Sequence, residues 1–145
     1  MLIDRATRLW DKSYDLNCAE TIMYAANEEY NLGLNKQTLK VMASFGGGMG
    51  IESTCGAATG AVGVIGVMFT NDRGHESPRV KELTKEFMEN FYNELGTYNC
   101  TELKAKYRKD DIHRCIVMIE TAAKVLDDIV TRERNRWLYE FKCRI

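Results

Sequence analysis

Residues 46–69 read GGGMGIESTCGAATGAVGVIGVMF, a glycine-rich loop followed by an apolar segment that contains no proline and no charged residue after Cys55. A hydroxyl at Ser53 or Thr54 could accept a hydrogen bond from the free N–H groups of a first helical turn. We therefore predict a helix from Cys55 to about Phe69. Because this segment carries no charged face, we expect the helix to lie buried.

The predicted central helix is unusual in its glycines. Gly56, Gly60 and Gly63 each cost roughly 1 kcal/mol relative to alanine inside a helix. Small residues at this spacing allow either another backbone or a cofactor to approach closely, and both interpretations are open. No Gly-Lys-Ser or Gly-Lys-Thr follows the loop, so it is not a P-loop. The candidate cofactor-binding residues are Gly47, Gly48, Gly50, Gly56 and Gly60.

The sequence on both sides of this segment has helical periodicity. Asparagine can cap a helix start, and proline is favoured at the first helical position. Helix starts are predicted at Asn17, Asn35, Ser77, Asn99 and either Asp110 or Asp111. In the second of these helices the residues expected to face inward are Leu39, Met42 and Ala43. The last helix has the clearest apolar stripe, formed by Ile112, Cys115, Ile116, Ile119, Ala122, Ala123, Leu126 and Ile129.

The whole chain suits one all-α domain. No segment alternates apolar and polar residues as a half-buried strand would, and a length of 145 residues is typical of a single domain. We predict a bundle of about five to six helices over residues 1–145, with the Gly-rich loop before its small-residue central helix. The net charge of −1 gives no general attraction to nucleic acid. The charged N-terminus and the absence of a long apolar span favour a cytoplasmic protein without a membrane partner.

Five cysteines are present, and four of them share a setting. Cys18, Cys55, Cys100 and Cys115 each fall within the first turn or so of a predicted helix. The free N–H groups and the positive end of the helix dipole stabilise a thiolate there, or could donate to sulfur bound to a metal. Cys143 lies in a polar tail and is interpreted as incidental.

Core packing is the alternative explanation of these cysteines. A free cysteine is often buried and packs as a small apolar side chain, and this describes Cys115 as well as redox chemistry does. No pair is spaced as C-x-x-C, which excludes a thioredoxin-type motif and a zinc ribbon.

The order of the cysteines resembles that of a known family. An isolated Cys18 is followed by the glycine loop with Cys55, Gly56, Ala57 and Gly60, and then by Cys100 and Cys115. This order is similar to the C_GCAxxG_C_C family of redox-active proteins over about residues 17–129. At the central motif the chain reads Thr-Cys-Gly-Ala, where the family name has Gly-Cys-Ala. The resemblance implies a redox role, through thiol/disulfide cycling or through an iron–sulfur cluster that four cysteine thiolates would hold.

Two functional hypotheses follow. The first is a redox-active protein, a candidate oxidoreductase with an unknown redox partner, that uses Cys18, Cys55, Cys100 and Cys115 as catalytic thiols or as metal ligands. Cys55 is the expected reactive residue because it adjoins the glycine loop. Cys100 and Cys115 are expected to pair with each other or with Cys55, and Cys18 completes the set. The second is a non-catalytic metal-binding or protein-interaction module with structural cysteines. The aromatic tail around Trp137 and Phe141 could dock on a partner or pair with a second copy to form a homodimer, or it could pack on its own domain.

Overall fold

The computed structural model describes residues 1–144, and within them it contains helices and turns but no strand. This confirms the predicted all-α class. The described residues form seven α-helices: α1 (Leu2–Leu9), α2 (Cys18–Glu29), α3 (Lys36–Leu39), α4 (Gly56–Phe69), α5 (Pro78–Leu95), α6 (Cys100–Tyr107) and α7 (Ile116–Lys142). The count exceeds the predicted five to six because α1 is additional.

Helix α1 is the element that the sequence analysis missed. Its buried residues Leu2, Ala6 and Leu9 are spaced as one helical face, and they pack α1 against α2 and α7. On its other side Arg5 and Arg8 form ion pairs with carboxylates near the end of α2. The apolar spacing was present in the sequence, but the many charges of this segment obscured it.

Several helix boundaries agree with the local signals in the sequence. Asn17, Asn35 and Asn99 each cap a helix, because each side-chain oxygen accepts a hydrogen bond from a backbone N–H three residues later. Helix α5 begins at Pro78 and ends before Gly96, whose left-handed conformation stops it. These boundaries depend on a few neighbouring residues, so they could be predicted locally.

Three local predictions were wrong, and the first two concern the cap of α4 and the position of Ala43. Helix α4 is capped by Cys55 rather than Ser53 or Thr54, because Thr54 forms a bridge with Asn99 instead. Ala43 is exposed, since the helix that Asn35 begins continues after Leu39 as a tighter 3₁₀ segment, Lys40–Phe45, which turns this residue outward.

The start of the last helix was also predicted too early. Asp110 caps only a separate turn, accepting hydrogen bonds from the N–H groups of Ile112 and His113. Arg114 then adopts a left-handed conformation (φ 45°), which interrupts the helix, so α7 begins at Ile116 with Cys115 as its cap. Ile112 therefore lies outside the apolar stripe and is 73% exposed.

Helix α4 packs against α2, α5 and α7, and its glycines set the closest of these approaches. A Cβ atom added to Gly60 would lie 2.7 Å from the carbonyl oxygen of Ala19. One added to Gly56 would lie 3.1 Å from the Cβ atom of Cys18. Close helix–helix packing therefore accounts for these two glycines, and it places Cys18 beside the start of α4.

The C-terminal part of α7 extends away from the core. Its large apolar side chains are mostly exposed: Trp137, Leu138, Tyr139 and Phe141. Pairing of this tail with a second copy stays a prediction. Among residues 1–144, none of the helices combines the length and the apolar character that a membrane crossing needs.

Candidate functional site

The four cysteines of the resemblance all lie at helix starts, as the sequence predicted. Cys18 and Cys100 are the first residues of α2 and α6, whereas Cys55 and Cys115 cap α4 and α7. All four are free thiols. Cys18 is half-buried and the other three are buried. We refer to these four residues as the cysteine site.

Cys55 and Cys100 are brought together by a short backbone pairing. Thr54 and Asn99, the residues that precede them, form an isolated antiparallel bridge. The N–H of Cys55 donates to the carbonyl of Tyr98 at 2.8 Å, and the N–H of Cys100 donates to the carbonyl of Ser53. This pairing holds the starts of α4 and α6 side by side, although the two cysteines are far apart in sequence.

The glycine loop closes over this pair. Gly48 has a left-handed conformation (φ 60°), and an added Cβ atom would lie 2.8 Å from the Cβ atom of Cys100 and 2.5 Å from the backbone nitrogen of Ser53. Only glycine fits there without a shift of the backbone. The loop therefore shapes one wall of the cysteine site. Nothing lies within 4 Å of an added Cβ atom at Gly47 or Gly50, so their role in binding a cofactor stays a prediction.

Contacts of Trp10 join the segments that precede Cys18 and Cys115. The indole Nε1 of Trp10 donates to the carbonyl of His113 at 3.0 Å. In return, the guanidinium of Arg114 donates to the carbonyl of Trp10 and stacks on its ring at 4.0 Å. These contacts tie the segment before α7 to the segment before α2, and each of the two thiols is the largest cause of the other's pKa shift.

The contact between these thiols changes their acidity in opposite directions. The hydrogen bond that Cys18 donates stabilises the thiolate of Cys115 and, although burial opposes it, lowers the pKa of Cys115 to about 7. The positive charges of Lys104, Arg108 and Arg114 act in the same sense. The same hydrogen bond raises the pKa of Cys18, and burial adds to the rise. Cys115 is therefore partly ionised near neutral pH, whereas Cys18 keeps its proton.

The other two cysteines are less acidic than a free thiol. Burial raises the pKa of Cys55 to about 11, although the backbone N–H groups of Ala57 and Ala58 offset part of the rise. Burial also raises the pKa of Cys100, and the charge of Lys104 offsets only part of this. A place at a helix start is thus not enough to produce a thiolate, because burial outweighs the helix dipole at Cys55.

A metal centre does not fit the site as it is arranged. Within residues 1–144, no group of three or more His, Cys, Asp or Glu side chains is placed to hold a metal ion. The iron–sulfur cluster is thus supported by the resemblance alone.

Comparison with protein families agrees with the resemblance. The model of a family described as "Putative redox-active protein (C_GCAxxG_C_C)" matches residues 16–129. The chain belongs to this family. The C_GCAxxG_C_C match contains all four residues of the cysteine site and leaves out α1 and Cys143. Neither the curated proteins nor the solved structures gave a match.

Three charged residues near Cys115 were not singled out by the sequence analysis. Lys104 lies one helical turn after Cys100, while Arg108 and Arg114 flank the loop before Cys115. Of the three, only Lys104 could have been found from the sequence, because it lies four residues after a cysteine on the same helix. The side chain of Lys104 forms an ion pair with Glu52 at 2.8 Å.

Proposed function

We propose that this protein of the C_GCAxxG_C_C family is a thiol–disulfide oxidoreductase whose redox pair consists of Cys115 and Cys18. The proposal rests on the contacts of Trp10 with His113 and Arg114, which join the segments before Cys18 and Cys115. It is supported by the pKa of Cys115, which hydrogen bonding with Cys18 lowers to about 7. A thiol whose pKa is close to the ambient pH is the best attacking group, since it is both ionised and strongly nucleophilic.

The reaction that this pair supports is the two-electron reduction of a disulfide. The Cys115 thiolate attacks one sulfur of the substrate, whose S–S bond breaks as a mixed disulfide forms. The departing thiolate takes the proton of Cys18. Cys18 then attacks the Cys115 sulfur, which forms the Cys18–Cys115 disulfide and releases the second substrate thiolate. A thiol reductant returns the pair to the starting state by the reverse exchange.

The nucleophile in this proposal differs from the residue expected on sequence grounds. The pKa of Cys55 is raised to about 11, so Cys55 is a protonated thiol at neutral pH. Cys115 has the lowered pKa and also the thiol partner that a disulfide needs. We therefore assign the attack to Cys115 and the second, resolving step to Cys18.

Thiol counting on the full chain tests this function. The protein is purified without oxygen, its iron, sulfide and zinc are measured, and its thiols are counted before and after mild oxidation. We expect a colourless protein that loses two thiols reversibly, with the new bond mapped to Cys18 and Cys115 by mass spectrometry. The variant Cys143→Ser should still lose two thiols, whereas Cys18→Ser should not form this bond.

The same measurements separate the alternatives. Stoichiometric iron and sulfide with visible charge-transfer bands would favour the cluster that the resemblance implies. Stoichiometric zinc without any loss of thiols on oxidation would favour a structural metal-binding module. A metal-free protein whose oxidation links cysteines other than Cys18 and Cys115 would contradict the proposed pair while leaving a redox function in place.

A further inference from the structure

Positive charge is concentrated on one side of Cys115. Lys104 lies on α6, Arg108 follows the end of that helix, and Arg114 immediately precedes Cys115. The loop between them is folded back on itself, because the N–H of Lys109 donates to the carbonyl of Arg114 at 3.2 Å. The charges of all three residues act on the Cys115 sulfur.

Nearby carboxylates neutralise this charge only in part. Glu52 forms a close pair with Lys104. Arg108 has only a distant partner, Asp111 at 3.9 Å, and that carboxylate is almost fully exposed. Within the described chain, no carboxylate lies within 4.0 Å of Arg114. Glu52 also acts on Arg108, and Asp11 acts on Arg114. The charges that act most strongly on the Cys115 sulfur are nevertheless the three basic ones.

The guanidinium of Arg114 is also held in place rather than free to move. It donates to the carbonyl of Trp10, and its central carbon lies over the indole ring, 4.0 Å from the ring centre. Its Nε atom is buried and has no hydrogen-bond partner among the described residues. A fixed cation attracts an anion without first losing side-chain freedom, so it favours the binding of a negatively charged group.

Building on the proposed function, we propose that the substrate is a small disulfide that carries a carboxylate on each side of its S–S bond. Arg108 and Arg114 attract the carboxylates while Cys115 attacks the adjacent sulfur. Paired guanidinium and carboxylate groups form strong, directional hydrogen bonds. The narrow exposure of Cys115, at 7%, favours a small molecule over a bulky protein disulfide.

Three synthetic disulfides of different charge test this inference. The reduced full-length protein is mixed with 3,3′-dithiodipropionate (a dianion), 2-hydroxyethyl disulfide (neutral) or cystamine (a dication). The rate at which Cys18 and Cys115 become oxidised is measured for each probe. Every rate is divided by that of free 2-mercaptoethanol with the same probe, which removes the intrinsic reactivity of the disulfide.

We expect the corrected rate to fall in the order dianion, neutral, dication, with about a tenfold spread at low salt. The spread should shrink at 1 M salt, where charges are screened over about 3 Å. Arg108→Gln should reduce the spread, and the matched control Lys85→Gln, on α5, should not. Because a weaker nucleophile slows all three probes alike, the ratio of their rates reports recognition alone.

The outcomes distinguish this inference from the function on which it rests. Equal corrected rates, or the reverse order, would overturn the anionic substrate while the redox pair stands. A spread that Arg108→Gln leaves unchanged would also overturn it, since the charge preference would then arise elsewhere. If none of the probes oxidises Cys18 and Cys115, the proposed function itself is contradicted, and the inference fails with it.

Discussion

Cys55 and Cys115 occupy the same formal position, the residue that caps a helix, yet their chemistry differs. Burial dominates at Cys55 and raises its pKa to about 11. At Cys115 a hydrogen bond from a neighbouring thiol, with cations around it, outweighs burial and lowers the pKa to about 7. Cys55 and Cys115 therefore share their residue type and their position at a helix start, and their immediate neighbours decide which thiol can react.

The pH dependence of alkylation tests this difference. The rate at which iodoacetamide modifies Cys115 should rise with pH around a midpoint of about 7, because only the thiolate reacts. In Cys18→Ala the midpoint should move up towards the usual value near 8.5, since the donated hydrogen bond is lost. Cys18→Ser is the matched control, because its hydroxyl can still donate. Mass spectrometry assigns the modified residue, and a wild-type midpoint of 8.5 or higher would contradict the assignment.

A second residue-scale prediction concerns Glu133, which is 3% exposed and pairs with Arg79 and Arg132. Removing this carboxylate leaves two arginines without their shared partner. Because both arginines reach solvent, we expect Glu133→Ala to lower the free energy of unfolding by only about 1–3 kcal/mol. Glu140→Ala removes an exposed carboxylate from the same helix and should change it by less than about 0.5 kcal/mol. Urea denaturation measures both, and equal losses would show that burial is not the cause.

At the scale of elements, the contact between α2 and α4 holds the cysteine site in place. Gly56 and Gly60 let the backbone of α2 approach, so that Cys18 lies beside the cap of α4. The cost of glycine inside a helix is offset by this close packing. The sequence left two interpretations of these glycines open, close backbone packing and a bound cofactor. The structure favours packing, because it explains Gly56 and Gly60 without a cofactor.

A pair of alanine substitutions in α4 tests that explanation. In Gly60→Ala the new Cβ atom would meet the Ala19 carbonyl at 2.7 Å, so the helices must separate, and we expect unfolding to become easier by about 1–3 kcal/mol. In Gly66→Ala nothing lies within 4 Å of the new atom. The higher helix propensity of alanine should then stabilise the protein by about 0.5–1 kcal/mol. Effects of the same sign in chemical denaturation would contradict the packing argument.

At the scale of the whole molecule, the proposed redox pair joins distant parts of the chain. Cys18 begins the second helix and Cys115 caps the last, so a bond between them would close a loop of roughly 100 residues. A cross-link of that kind restricts the unfolded chain far more than the folded one. If the proposed pair forms, oxidation should therefore stabilise the fold.

Denaturation of the two redox forms tests this expectation. We expect the oxidised protein to be more stable than the reduced protein by about 2–4 kcal/mol, measured with urea in the absence and presence of a reductant. Cys143→Ser should keep the difference, because the exposed Cys143 does not take part. Cys18→Ser should lose it. An oxidised form that is equally stable or less stable would indicate that the bond strains the native fold.

Much of the helical architecture was determined by the sequence alone. The caps at Asn17, Asn35 and Asn99, the start of α5 at Pro78 and its end at Gly96 all depend on residues within a turn of each other. Such signals are local, and so is the placement of four cysteines at helix starts. The apolar face of α1 could also have been predicted from its residue spacing, but the many charged residues of this segment made the pattern difficult to recognise.

The tertiary structure alone decided which cysteines meet and which one is activated. Trp10 joins the segments before Cys18 and Cys115, and the bridge between Thr54 and Asn99 holds the helix starts at Cys55 and Cys100 side by side. Each contact joins residues far apart in the chain, and burial and charge at a sulfur depend on every element packed around it. The order of residues in the sequence does not show how these contributions combine at one sulfur. For this reason the sequence pointed to Cys55, whereas the structure points to Cys115.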